Sequence, residues 1–190
     1  MFKVLTFILI LFYFQGCVTG RTEIPASYTK TNFPDIFVEH NKRNGTLTYQ
    51  DKYNLKNATH LGFSEARIYA IDKNNSIQIR MELIERSNFY NQYNTINISN
   101  GYSKDVDSSL NLNVYSEDTN LIIGGAVIFT INIPLTPTEI KKLKKILESD
   151  KSVIIRLTDN GKNPSNNNLN KGERQAMLNI INFVETKRSK

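Results

Sequence analysis

ARIYAIDKNNSIQIRMELIE, residues 66–85, is the stretch on which the fold turns. Ile77, Ile79, Met81 and Leu83 alternate with Gln78, Arg80 and Glu82. A period of two puts one row of side chains in a core and the other in water, which is the signature of a half-buried strand. A second β-prone run, ARIYAID, precedes it across the short link KNNS. The pair predicts an antiparallel hairpin. Upstream, IFVEHNKRNGTLTY (36–49) predicts another hairpin, turning at Asn44-Gly45, a dipeptide suited to tight turns. Downstream, Leu110, Leu112 and Val114 alternate with Asn111, Asn113 and Tyr115. LIIGGAVIFTINI (121–133) follows, a long apolar run that Gly124-Gly125 divides at a bulge or a turn.

The pattern then changes period. In LTPTEIKKLKKILESD (135–150), Thr136 is placed to cap a helix, Pro137 occupies its first position and Glu139 completes a capping box. Leu135 and Ile140 form a hydrophobic staple, and Ile140, Leu143, Ile146 and Leu147 form one stripe. SVIIRLTD (152–159) reads as a strand and NGKNPSNNNLN (160–170) as an Asn-rich loop. A last helix is predicted over 171–186, with Ala176, Met177, Ile180, Ile181 and Val184 on one side and Asn170 and Glu173 as a second capping box. Strands followed by helix, strand, helix predict an α+β domain: a mainly antiparallel sheet with the C-terminal helix-strand-helix packed on one face.

The amino terminus has a different character. Lys3 precedes the uncharged run Val4–Phe14, and Gly16-Cys17 ends it. A run of this length suits the apolar region of an export signal, about 7–15 residues, and falls short of the roughly 20 needed to span a bilayer. Cys17 is the chain's single cysteine, so an internal disulfide is impossible. The segment resembles the lipobox of bacterial lipoproteins, commonly Leu, a small residue, Gly or Ala, then Cys. It matches at Gly16 and Cys17 and departs at Phe14 and Gln15, as the relaxed boxes of spirochaetal lipoproteins do. The resemblance implies a diacylglycerol on the Cys17 sulfur, cleavage just before it, and an acylated new amino terminus. It also implies outer-membrane placement, since Val18 stands where an inner-membrane retention Asp would. The expected organisation is a signal over 1–16, a lipidated cysteine and flexible tether over 17–34, and one globular domain over 35–190. Two or more acyl chains would attach the protein stably without a transmembrane helix.

The formal net charge is +6. The clearest basic feature is Lys141, Lys142, Lys144 and Lys145, opposite the apolar stripe of their helix. They are candidate contacts for lipid headgroups, a glycosaminoglycan or an acidic protein, set against an ordinary solvated face. Tyr90 and Tyr93, in the Tyr- and Asn-rich stretch 87–102, are candidate recognition residues, set against aromatics that cover a sheet edge. Lys190 ends the chain in KRSK and resembles the terminal lysines taken up by the kringle domains of plasminogen, set against a frayed tail. His40 and His60 lack metal-binding spacing, and no nucleophile elbow or phosphate loop is present. Asp105, Asp107 and the segment after Asp159 lack the spacing of a calcium loop. No cofactor, metal, catalytic residue or nucleic-acid partner is expected. The sequence favours a lipid-anchored envelope protein, a surface-exposed binding module, over a periplasm-facing assembly factor. An exported hydrolase assembled only in three dimensions ranks third.

Overall fold

The structure, a computed structural model, describes residues 23–57, 65–87, 93–101, 109–114, 117–123, 126–159 and 162–189. Along the chain run β1 (Tyr28–Lys30), β2 (Ile36–Asn41), β3 (Thr46–Asp51), α1 (Lys52–Asn57), β4 (Glu65–Lys73), β5 (Ser76–Ser87), β6 (Thr95–Asn100) and β7 (Ser109–Asn113). β8 (Glu117–Ile123), β9 (Ala126–Pro134), α2 (Pro137–Leu147), β10 (Val153–Asp159), β11 (Lys162–Asn168) and α3 (Lys171–Arg188) complete it. The class is α+β, and among the described residues every strand pairing is antiparallel.

The 66–85 hairpin forms as its period dictates. β4 and β5 pair along their length, and Asn74 and Asn75 both take positive φ, 54° and 61°, in the link between them. Asparagine tolerates this region better than most residues, and two such residues in succession match the right-handed twist of the flanking strands. Rows of core side chains cross the pair into β9: Ile68, Met81 and Ile133 align, as do Ala66, Leu83 and Ile131. Each of these six is at least nine-tenths buried. On the outer face Arg67 forms an ion pair with Glu82, and Asn132 accepts from Arg80 Nε at 2.8 Å while donating to Tyr69 Oη at 2.6 Å. Tyr28 lies on this face too. Burial first, then Glu39, raises its hydroxyl to about 12.

A single sheet was the expectation; there are two. The larger has the order β1-β2-β3-β4-β5-β9-β8, and the smaller β11-β10-β6-β7. The strand of the C-terminal helix-strand-helix, β10, pairs with β6 and so belongs to the second sheet. The Asn-rich segment expected to be a loop supplies β11, because β10 offers it a ladder and Arg156 Nε donates to Asn166 Oδ1 at 2.9 Å. Tertiary pairing here outweighs the low strand propensity of Asn. Ser165 Oγ donates to Glu85 Oε1 at 2.7 Å and ties the two sheets together.

Both capping boxes form. Thr136 accepts from Glu139 N at 3.3 Å while Glu139 accepts from Thr136 N at 2.7 Å, and Asn170 and Glu173 do the same for α3. α3 lies across β2, β3, β4 and β5, and α2 packs on α3, β6 and β7. Ile140, Leu143, Ile146 and Leu147 from α2 join Met177, Ile180, Ile181 and Val184 from α3 in one continuous core. Each fully buried Leu, Ile or Met contributes about 1.5–3 kcal/mol.

The ordered domain starts earlier than the expected boundary at residue 35. Tyr28–Lys30 is a strand, paired to Phe37–Glu39. Phe33 packs edge-on against Phe183, their ring centroids 5.6 Å apart. The Thr31 hydroxyl donates to the Ile36 carbonyl at 2.8 Å, pinning the turn between them. The sequence shows no periodicity here because only three residues are strand.

Candidate functional site

Residues far apart in sequence meet between the β1–β2 hairpin and the last turns of α3. They enclose an open cleft of about 380 Å³. Phe33, Val38, Tyr49 and Phe183 give it apolar and aromatic walls; Thr31, Asn32, Thr186 and Lys187 complete the lining. The volume lies within the range of small-ligand pockets, roughly 300–1,000 Å³. Tyr49 is held 4.8 Å from the Phe183 ring, centroid to centroid. Lys187 Nζ donates to Tyr49 Oη at 2.8 Å, lies 3.4 Å from Asp72 Oδ2 and sits 4.6 Å from the centre of the Tyr49 ring. Burial works against its charge, but Tyr49 and Asp72 outweigh it, and its pKa is raised. A fixed ammonium therefore stands at the edge of an aromatic cleft. That arrangement suits an apolar or aromatic group carrying an acidic function.

A second recess, about 310 Å³, lies between α1 and α3 and is lined by residues that include Asp35, Asp51, Lys52, Gln175 and Asn179. Asp51 is 2% exposed. Its Oδ1 accepts from Tyr53 N at 2.7 Å, capping α1, and its Oδ2 accepts from Asn179 Nδ2 at 2.9 Å. A Cβ at Gly172 would run into the Tyr53 ring, so any larger residue there displaces that side chain. Burial raises the Asp51 pKa, opposed by the Asn179 and Tyr53 hydrogen bonds. The folded value thus lies above the ordinary 3.8, so in that window the folded chain keeps a proton that the unfolded chain releases. The stability this carboxyl contributes is fully present below 3.8 and is lost as pH rises through the raised value. Asp51→Asn keeps an acceptor for Tyr53 and removes the charge. Its stability relative to wild type is expected to rise between about pH 3 and pH 7 in urea titrations. A difference that stays flat or falls would show the charged carboxylate to be stabilising.

The residues singled out in the sequence fare unequally. Lys141 and Lys145 are exposed on α2 and, among the described residues, form no ion pair; Lys142 is half-buried. Lys144 does not belong with them. Its Nζ lies 2.6 Å from Glu185 Oε2 and 3.9 Å from Glu148 Oε1, which joins α2 to α3 and neutralises it. Tyr93 is not a surface recognition group either: it is 4% exposed and packs edge-on to Phe129 at 5.8 Å. Cys17, Tyr90 and Lys190 lie outside the described residues. No group of three or more metal-ligating side chains occurs among the described residues, and no described helix is long and apolar enough to cross a membrane.

Sequence reasoning missed the cleft. Phe33 lay in the expected tether, and Tyr49 in a strand read only as half of a hairpin. Phe183 and Lys187 are four apart on α3, and that spacing was the one available signal. Comparison with known proteins yields no matching family model, no matching curated protein and no matching solved structure.

Proposed function

We propose that the chain is a lipid-anchored envelope protein, attached through Cys17, whose α+β domain is a binding module using the Phe33–Tyr49–Phe183–Lys187 cleft. The cleft carries the binding reading, because aromatic walls beside a fixed ammonium offer apolar burial and charge recognition together. The anchor rests on the lipobox resemblance. Surface display on the cell is preferred to a periplasm-facing assembly role, and exposed Lys141 and Lys145 give the display reading a basic face for a protein or polyanionic ligand, a glycosaminoglycan or a host protein such as plasminogen.

Anilinonaphthalene sulfonate, an aromatic anion, is the probe for the cleft. Wild-type protein is expected to bind it with bright fluorescence, and Lys187→Gln to weaken binding about tenfold, the loss of one charge-assisted contact. Equal binding by both proteins would remove Lys187 from the site. Metabolic labelling with an alkyne fatty acid tests the anchor: label is expected on wild type and absent from Cys17→Ala. Protease shaving of intact cells separates the two placements, since a periplasm-facing domain survives until the envelope is opened.

A further inference from the structure

The sheet register fixes which end of the domain meets the anchor. Tyr28 aligns with Glu39, Glu39 with Thr48, Thr48 with Ile71, and Ile71 with Gln78. β1 runs antiparallel to β2, so the chain enters the domain at the end that holds the β2–β3 turn and the β4–β5 turn. α3 finishes at the same end: Lys187 reaches Asp72 there, and Arg188 donates to the Ile77 carbonyl at 2.7 Å. Cys17 precedes Tyr28 by eleven residues, a span of at most about 40 Å when fully extended.

This end is basic. It carries Lys42 and Arg43 in one turn, Lys73 beside the other, and Arg188 on the last turn of α3, where the charge of Lys187 is offset by Asp72. Lys42, Arg43 and Lys73 are exposed. The carboxylates nearby are Glu39, hydrogen-bonded to Tyr28, the buried Asp72, taken by Lys187, Glu185, taken by Lys144, Glu139, held in the capping box of α2, and Glu23 in the lead-in segment. The opposite end is close to balance, with Asp35, Asp51, Glu65 and Glu173 against Lys30, Lys52, Lys56, Lys171 and Arg174.

We infer that this basic end docks on an anionic bilayer surface, so that the domain stands with the β2–β3 and β4–β5 turns against the membrane and α1 pointing away. The inference rests on the Cys17 anchor, which brings the entry point of the domain within reach of the headgroups. An acyl anchor and a basic patch act together, because each basic residue near an anionic surface adds about fivefold to the bound population. The attraction fades beyond a screening length of about 10 Å at moderate salt, which the short lead-in to β1 allows the turns to reach.

The whole acylated chain is reconstituted in phosphatidylcholine vesicles, with or without about a third phosphatidylglycerol, carrying a headgroup quencher. Because Cys17 is the native chain's single thiol, a maleimide dye finds no site on acylated wild type. Asn74→Cys places the dye in the β4–β5 turn, and Lys52→Cys places it on α1. Strong quenching is expected at position 74 only with phosphatidylglycerol, and position 52 is expected to stay bright. Lys42→Gln, Arg43→Gln and Lys73→Gln together, which remove three positive charges, are expected to reduce the docked population on the order of 100-fold, at unchanged thermal stability. Dye coupling to wild-type Cys17 would overturn the anchor and the docking with it. A blocked Cys17 with position 74 unquenched in anionic vesicles, or quenched equally in neutral ones, would overturn the docking alone.

Discussion

Ile180→Asp is expected to abolish the folded state at room temperature. Ile180 is fully buried in the middle of α3, in the same cluster as Met177, Ile181 and Val184. The substitution removes apolar burial at a cost of about 2–5 kcal/mol and forces a carboxyl group into a place built for hydrocarbon, at several kcal/mol more. A domain of this size has roughly 5–15 kcal/mol to lose. Loss of the cooperative thermal transition, with collapse of side-chain dispersion in NMR spectra, is the expected result. Asn182→Asp, on the exposed face of the same helix, is expected to stay within about 0.5 kcal/mol of wild type. A cooperative Ile180→Asp protein destabilised by less than about 2 kcal/mol would mean that α3 does not close the core over the larger sheet.

Phe129→Ala is expected to cost about 3–5 kcal/mol and to lower the melting temperature by on the order of 10 °C. Phe129 is fully buried on β9, beside the join between the two sheets. Tyr93 meets its ring at 78° between planes, the edge-to-face geometry that aromatic pairs favour. A double-mutant cycle with Tyr93→Leu is expected to show a coupling of about 0.5–1.5 kcal/mol. Additive losses would indicate that the rings do not touch. The cycle also tests the reassignment of Tyr93, because a residue used for surface recognition would show little effect on stability.

Where local rules and tertiary packing agree, the fold was legible. The alternation in 77–83 gave the right face of β5, and the Thr136/Glu139 and Asn170/Glu173 pairs marked the starts of both long helices. Asn44-Gly45 marked the β2–β3 turn, where Gly45 takes φ 69°. What escaped was set by partners distant in sequence. β1 and β11 have no period of their own and exist because β2 and β10 present open ladders. The division into two sheets depends on β10 choosing β6, a choice between strands of similar apolar content. The candidate lysine face was half legible. Helical period placed all four lysines off the core, but only the packing of α3 could show that Lys144 meets Glu185. The cleft needed three rings and a cation from three separate segments, the β1–β2 link, β3 and α3, which no local pattern announces.

The strands at the sheet margins carry one more consequence. β1 is three residues long, and β11 contains Pro164, which has no N–H to offer a neighbour. Molecules crowded side by side on a common surface would present these borders to one another continually. A truncated border and a proline-interrupted one are poor templates for runaway cross-chain ladder growth. β8, seven residues long at the far margin of the larger sheet, and β7, five residues long at the far margin of the smaller, are where such growth would begin in a damaged or overexpressed population.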